Sequence, residues 1–137
     1  MFCLDTNILI FALNKRKPSL AERLNEELRN GASRILVPTF VMFELDYGIA
    51  KSSDPVRSRA ILDAFLALGF ERPDFTAEDA REASDIRAYL EGRGAPIGPY
   101  DYLIAAQARR RGAVLVTLNR REFDRVPRLM VTDWGGA

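Results

Sequence analysis

Short apolar runs that stop on a small polar residue constrain this chain more than any other feature. FCL runs into Asp5-Thr6, RILV into Pro38-Thr39 and AVLV into Thr117. Runs this short, apolar on both faces, have no side to turn to water, so each predicts a strand covered above and below. Helical patterns with their own start and stop signals separate them. A helix is predicted from Asn7 to about Asn14, with Asp5 or Thr6 near its N-cap, and a second over 18–30, opened by Pro18-Ser19 and closed by Gly31. Others run from Pro38-Thr39 to about Lys51, from Asp54-Pro55 to near Gly69, from the capping box Thr76-Ala77-Glu78-Asp79 to Gly92–Gly94, and from Pro99 to Arg111. Residues 70–73 form a weak strand and 129–131 a last one. Such alternation predicts an α/β fold, a three-layer α/β/α sandwich around a mostly parallel sheet of four to five short strands. With no internal repeat, linker or low-complexity tract, residues 1–137 read as one domain. In such sheets ligands bind beyond the C-terminal strand ends, which is where Asp5, Pro38-Thr39 and Thr117 to Asn119 fall.

Two absences narrow the chemistry. The chain contains no histidine and one cysteine, so Ser-His-Asp triads, Cys-His dyads and the usual zinc sites are excluded. Acid–base or metal chemistry must run on Asp and Glu. Cys3 sits in an apolar run and reads as a small buried hydrophobe, compatible with a reducing compartment. No apolar run approaches the roughly 20 residues of a bilayer span, and no basic segment precedes one, so the expectation is a cytoplasmic protein without membrane contact. A net charge of +1 leaves nucleic-acid binding to local patches.

Acids then occur where apolar residues are expected. In TFVMFELDYGIAKS the apolar positions Val41, Leu45 and Ile49 form one helical stripe, and Glu44 lies within or beside it; Asp46 points elsewhere, to solvent. In PYDYLIAAQA, Asp101 begins the face that carries Ile104, Ala105 and Ala108. Each acid alone has an ordinary reading: Asp5 as an N-cap, Glu44 as a surface residue, Asp101 as a first-turn acid favoured by the helix dipole. Together they are harder to dismiss. Desolvated carboxylates without partners are costly and repel one another. No Lys or Arg is close in sequence to Asp5 or on the stripe beside Glu44. A divalent cation is the natural compensation, and oxygen-only ligands select Mg²⁺ or Mn²⁺. In TLNRREFDRVP, Thr117 and Asn119 can hydrogen-bond a water, a phosphate or another carboxylate, and Glu122 can add a fourth acid.

These segments resemble the PIN-domain ribonucleases, and in particular the VapC-like toxins of bacterial toxin–antitoxin pairs. The resemblance spans LDTNILI, FELDYGIAKS, AREASDIRAYLEGRGAPIGPYDYLIAAQA and LVTLNRREFDRVPRLMVTDW, nearly the whole chain. It implies an endoribonuclease whose Mg²⁺ or Mn²⁺ pocket is built from Asp5, Glu44 and Asp101, with Asp5 and Asp101 holding the metal. Thr6, Asn7 and Thr117 match supporting polar positions. Many relatives carry Asp where this chain has Asn119, which makes Glu122 the substitute, acting directly or through water. The resemblance also implies an RNA substrate, a small antitoxin partner and a homodimer.

An acidic pocket needs a basic rim to hold RNA. Arg120 and Arg121 are the first candidates, followed by Lys15-Arg16-Lys17, Arg109-Arg110-Arg111, Arg125 and Arg128, with Tyr100 and Tyr102 available for base stacking. Two other readings exist. A phosphate-handling α/β domain with an aspartate nucleophile also places Asp at a strand end, but position 7 is Asn and AVLVTLN offers no Lys. A non-catalytic PIN-fold binding module would not need Asp5, Glu44 and Asp101.

Overall fold

A computed structural model describes residues 1–136. Its elements are β1 (Phe2–Leu4), α1 (Thr6–Asn14), α2 (Pro18–Asn30), β2 (Ile35–Leu36), α3 (Thr39–Ala50), α4 (Pro55–Leu66), α5 (Ala77–Gly92), α6 (Pro99–Arg110), β3 (Val114–Val116), α7 (Arg120–Phe123) and β4 (Met130–Thr132). The four strands pair in the order β2-β1-β3-β4 and every pairing is parallel. The strands are short because each run ends on a residue that does something else. Asp5 caps α1, Pro38 has no N–H to give a ladder, and Thr117 turns its side chain to the site.

Both faces of β1, β2 and β3 are covered, as their unbroken apolar runs require: Cys3, Leu4, Ile35, Leu36, Leu115 and Val116 are all buried. Helices supply the other side of the core through Ile8 and Leu9, Leu20 and Leu24, Ile86 and Leu90, and Ile104, Ala105 and Ala108. The small side chains of α6 let it lie close to its antiparallel neighbour α5 and to α3. Cys3 is 1% exposed, and burial pushes its thiol up to about 12, so it behaves as packing and not as a nucleophile.

The weak strand at 70–73 reduces to one bridge. Glu71 pairs with Leu36 at the β2 edge, donating its N–H to the Ile35 carbonyl and accepting from Val37, and Pro73 has no N–H to continue. Other bounds move by one to three residues: the α4 helix stops at Leu66 and the last strand begins at Met130. Among the described residues no helix is long and apolar enough to cross a membrane.

Strand order fixes where a site can form. From β1 the chain moves to β2 on one side and later returns to β3 on the other, so the direction of winding reverses between β1 and β3. The crevice beyond that reversal is the expected ligand position in an open parallel sheet. The register Leu4↔Val116 brings Asp5 and Thr117 side by side there.

Candidate active site

Asp5 leaves β1 in an extended conformation and caps α1. One carboxyl oxygen accepts from the Thr6 N–H at 2.8 Å, and the other accepts from the Thr117 hydroxyl at 2.7 Å. The side chain is 8% exposed. Burial pushes its carboxyl above the ordinary range, and the Thr117 and Thr6 hydrogen bonds pull against that shift.

Glu44 comes from the middle of α3. The Val41 and Leu45 positions of its stripe are buried, and Glu44 is half-buried on the edge of that face. Burial raises its carboxyl too; Thr6 lies close enough to lower it and the Asp5 charge raises it again. The Thr6 hydroxyl is itself buried and, among the described residues, makes no hydrogen bond of good geometry.

Asp101 is the third residue of α6, opposite the same strand ends. Ile104, Ala105 and Ala108, one and two turns on, are fully buried, so the face that Asp101 begins is the packed one. Its carboxyl is pushed up to about 7, first by burial, then by the Asp5 charge, a hydrogen bond with Glu122, and the charges of Glu122 and Glu44. That set of causes gathers into one place four acids spread in sequence from Asp5 to Glu122. Among the described residues none of the four enters an ion pair.

Two devices that the sequence did not reveal hold these helices in place. Gln107 of α6 is buried, and its carbonyl oxygen accepts from the Thr39 N–H at 3.0 Å, while its amide donates to the Pro73 carbonyl at 3.2 Å. It therefore caps α3, whose N-cap is Pro38 and has no capping side chain, and it ties the helix of Glu44 to the helix of Asp101. The second is Gly98. A Cβ there would stand 2.8 Å from Asp101 Oδ2, so the missing side chain is the space the carboxyl occupies. Its φ of −59° is ordinary, which is why spacing rules for glycine give no signal.

The remaining candidates divide. Asn119 bonds Glu122, and Thr117 bonds Asp5. Asn7 is exposed in the first turn of α1, with no side-chain hydrogen bond among the described residues. Arg120 and Arg121 are exposed on α7 beside Glu122; Arg120 approaches Asp124 only to 3.7 Å. Two expectations fail. Tyr102 is 4% exposed and its hydroxyl accepts from the Ile97 N–H, so it cannot stack on a base. Arg109 is paired with Glu82, and Arg110 and Arg111 both grip the buried Asp79, so this triplet is structural and not a rim. Tyr100, at 47% exposed and packed on Phe40 and Phe43, remains at the surface.

The donor set suits a hard divalent cation in kind: oxygen only, buried at Asp5 and half-buried at Glu44, Asp101 and Glu122, and without a cationic partner among the described residues, with the Thr6 hydroxyl beside it. The fit is one of chemistry and charge. Among the described residues no three acids already stand at ligand spacing, as expected of carboxyls that repel each other. Beside Glu44, an apolar groove between α1, α3 and α4 is lined by Ile10, Leu13, Leu45, Ile49, Ile61 and Leu62.

A parallel α/β/α sheet with acids gathered at its winding reversal defines a class, and the sequence profile of the PIN domain matches residues 2–129: the chain belongs to the PIN-domain family. Within it, the chain is similar to the tRNA(fMet)-specific endonuclease VapC of Salmonella typhimurium, with 40% identity over 97% of both chains. It is likewise similar to ribonuclease VapC2 of Rickettsia felis, with 37% identity over 98% of both. Among solved structures, the DNA-bound VapBC of Salmonella typhimurium superposes with a TM-score of 0.87 at 38% identity, covering 97% of each chain. VapBC2 of Rickettsia felis, bound to a DNA fragment from its promoter, also gives 0.87, at 35% identity and 96% coverage of each.

Proposed function

We propose that this chain is an endoribonuclease, the toxin of a VapBC-type pair, acting as a single cytoplasmic domain on RNA phosphodiester bonds with Mg²⁺ or Mn²⁺. The observation that carries this reading is the cluster of Asp5, Glu44, Asp101 and Glu122, none of which meets a cation among the described residues; burial first, and then the neighbouring charges, push the Asp101 carboxyl up. A protein keeps such a cluster at a cost in stability, and a bound cation repays it. Asp5 and Asp101 would hold the ion, with Thr117 and Thr6 orienting Asp5. When bound, it supplies a more acidic water and counter-charge for the phosphate.

The chain's own groups do the rest. Glu44 takes a proton from the attacking water, whose oxygen bonds to phosphorus as the bond to the leaving ribose oxygen breaks; that oxygen takes its proton from solvent water, and Glu44 gives its own back to solvent. Glu122 lies beside Asp101 and supports the same charge balance. Arg120 and Arg121, exposed beside Glu122, hold the flanking phosphates. The antitoxin is expected to lay an apolar segment in the groove that opens beside Glu44. Exposed Phe43, Tyr47 and Tyr100 form an aromatic face outside the pocket, which supports pairing with a second copy of the chain.

The similarity to an enzyme named for tRNA(fMet) makes initiator tRNA the first substrate to test. Cleavage is expected with Mn²⁺ or Mg²⁺, and its loss is expected with EDTA and in Asp5→Asn. Cleavage that survives both treatments contradicts the reading. A phosphorylated aspartate trapped from the protein would favour the nucleophile alternative instead.

A further inference from the structure

Asn119 sits where β3 leaves the sheet and α7 begins, at a position where Asn ordinarily caps a helix with its side-chain oxygen. It does not do so here: no side-chain cap bond is made. Its amide Nδ2 instead donates to Glu122 Oε2 at 2.9 Å, and its backbone N–H donates to the Thr117 hydroxyl at 3.0 Å. Thr117 Oγ1 then has one proton to give, and it gives it to Asp5 Oδ2 at 2.7 Å. Because a carboxylate oxygen only accepts, the amide must present its nitrogen to Glu122, which fixes the side chain's orientation. A continuous chain of bonds therefore runs from Asp5 through Thr117 and Asn119 to Glu122, which lies beside Asp101. Asn119 is the one residue in it that touches both arms.

We propose that Asn119 is a positioning residue that sets two acids at once: Glu122 through its amide, and Asp5 through the orientation of the Thr117 hydroxyl. The proposal rests on the nuclease reading. It gives Asn119 no contact with RNA or with the ion; Asn119 acts through Glu122 and Thr117. Of the two arms only the amide is removed by truncating the side chain, because the backbone N–H survives. Asn119→Ala thus isolates the Glu122 arm.

The experiment is a double-mutant cycle on the full chain, with Asn119→Ala and Glu122→Ala, read by kcat and KM for RNA cleavage and by calorimetric Mn²⁺ binding without RNA. Loss of an orienting partner is expected to lower kcat and weaken Mn²⁺ binding by about tenfold in Asn119→Ala, with KM for RNA unchanged. In the Glu122→Ala background the same substitution is expected to change both by less than about twofold, because the group it positions is gone. Full additivity in that background overturns the proposal, since it marks a structural role, and so does an unchanged kcat and Mn²⁺ affinity in Asn119→Ala alone. Melting curves of both variants show whether a lost fold accounts for the change. Wild-type chain that binds Mn²⁺ with the cycle coupled, but cleaves no RNA, overturns the nuclease reading and leaves the positioning role standing. Wild-type chain that binds no Mn²⁺ overturns both.

Discussion

Asp79 and Asp101 hold the same place in neighbouring helices: each is the third residue, one of α5 and the other of α6. The fold treats them in opposite ways. Asp79 is 0% exposed and fully answered, with Arg110 and Arg111 at 2.9 Å and the Thr76 N–H at 2.9 Å, in a complete capping box. Burial would raise its carboxyl, but the Arg111, Thr76 and Arg110 hydrogen bonds outweigh it and hold it at about 2. Asp101 has Gly98 where Asp79 has Thr76, so no capping hydroxyl faces it, and its neighbours are other acids. The lesson is that burial of an acid says little until its partners are counted. A satisfied acid holds helices together, whereas an unsatisfied one is available to a ligand.

The largest effect expected is a crossed pair of outcomes. Asp101→Asn should lower RNA cleavage by about 10²- to 10⁴-fold, the range for removing a group that acts in the transition state. It should leave the metal-free fold at least as stable, because a repelling charge is gone. Asp79→Asn should do the reverse: destabilisation by about 3 kcal/mol, from two arginines left without their carboxylate, with cleavage per folded molecule retained. Denaturation curves and turnover on the same preparations check both. Equal loss of activity in the two variants would erase the distinction.

Gly98→Ala comes next. It puts a methyl in the space of the Asp101 carboxyl, and a displacement of about 1 Å in such a group costs on the order of 10²-fold in rate. The variant should fold normally and cleave poorly; full activity would show that Asp101 has room to adjust.

Stability against pH should then separate the two acids by sign. In EDTA, Asp101 binds its proton more tightly in the folded chain, about 7 against an ordinary 3.8, so its contribution to stability falls as pH rises between those values. Asp79 is depressed from 3.8 to about 2, so its stabilisation is present above 3.8 and is lost as pH falls through about 2. Melting temperatures at pH 5 and pH 8 should show the fall in wild type and a flatter profile in Asp101→Asn. The smallest effect is at the rim, where Arg121→Ala should reduce the slope of log affinity for RNA against log salt by about 1.

The sequence disclosed the sheet and one side of this contrast. Unbroken apolar runs dictated buried parallel strands, and an acid opening the most apolar face of a helix marked Asp101, because both signals are local and periodic. The other side was hidden by distance. Thr76 to Asp79 was legible as a capping box, but its arginines lie 31 and 32 residues away and read as a basic surface cluster until the packing of α5 on α6 brought them together. Tyr102 misled for the same reason, since only the tertiary fold turns it inward to Ile97. Gln107 and Gly98 carried no signal at all: one caps a helix it does not belong to, and the other matters for an atom it lacks.

The uncompensated acids are expected to hold a divalent cation. Calorimetric titration of Mn²⁺ into metal-stripped protein at pH 6.5, in two buffers of different ionisation enthalpy, tests it most directly. Saturable binding with proton release, weakened in Asp5→Asn and Asp101→Asn and unchanged in Asp79→Asn, is the result expected. Absence of binding, or binding indifferent to Asp101, would contradict it.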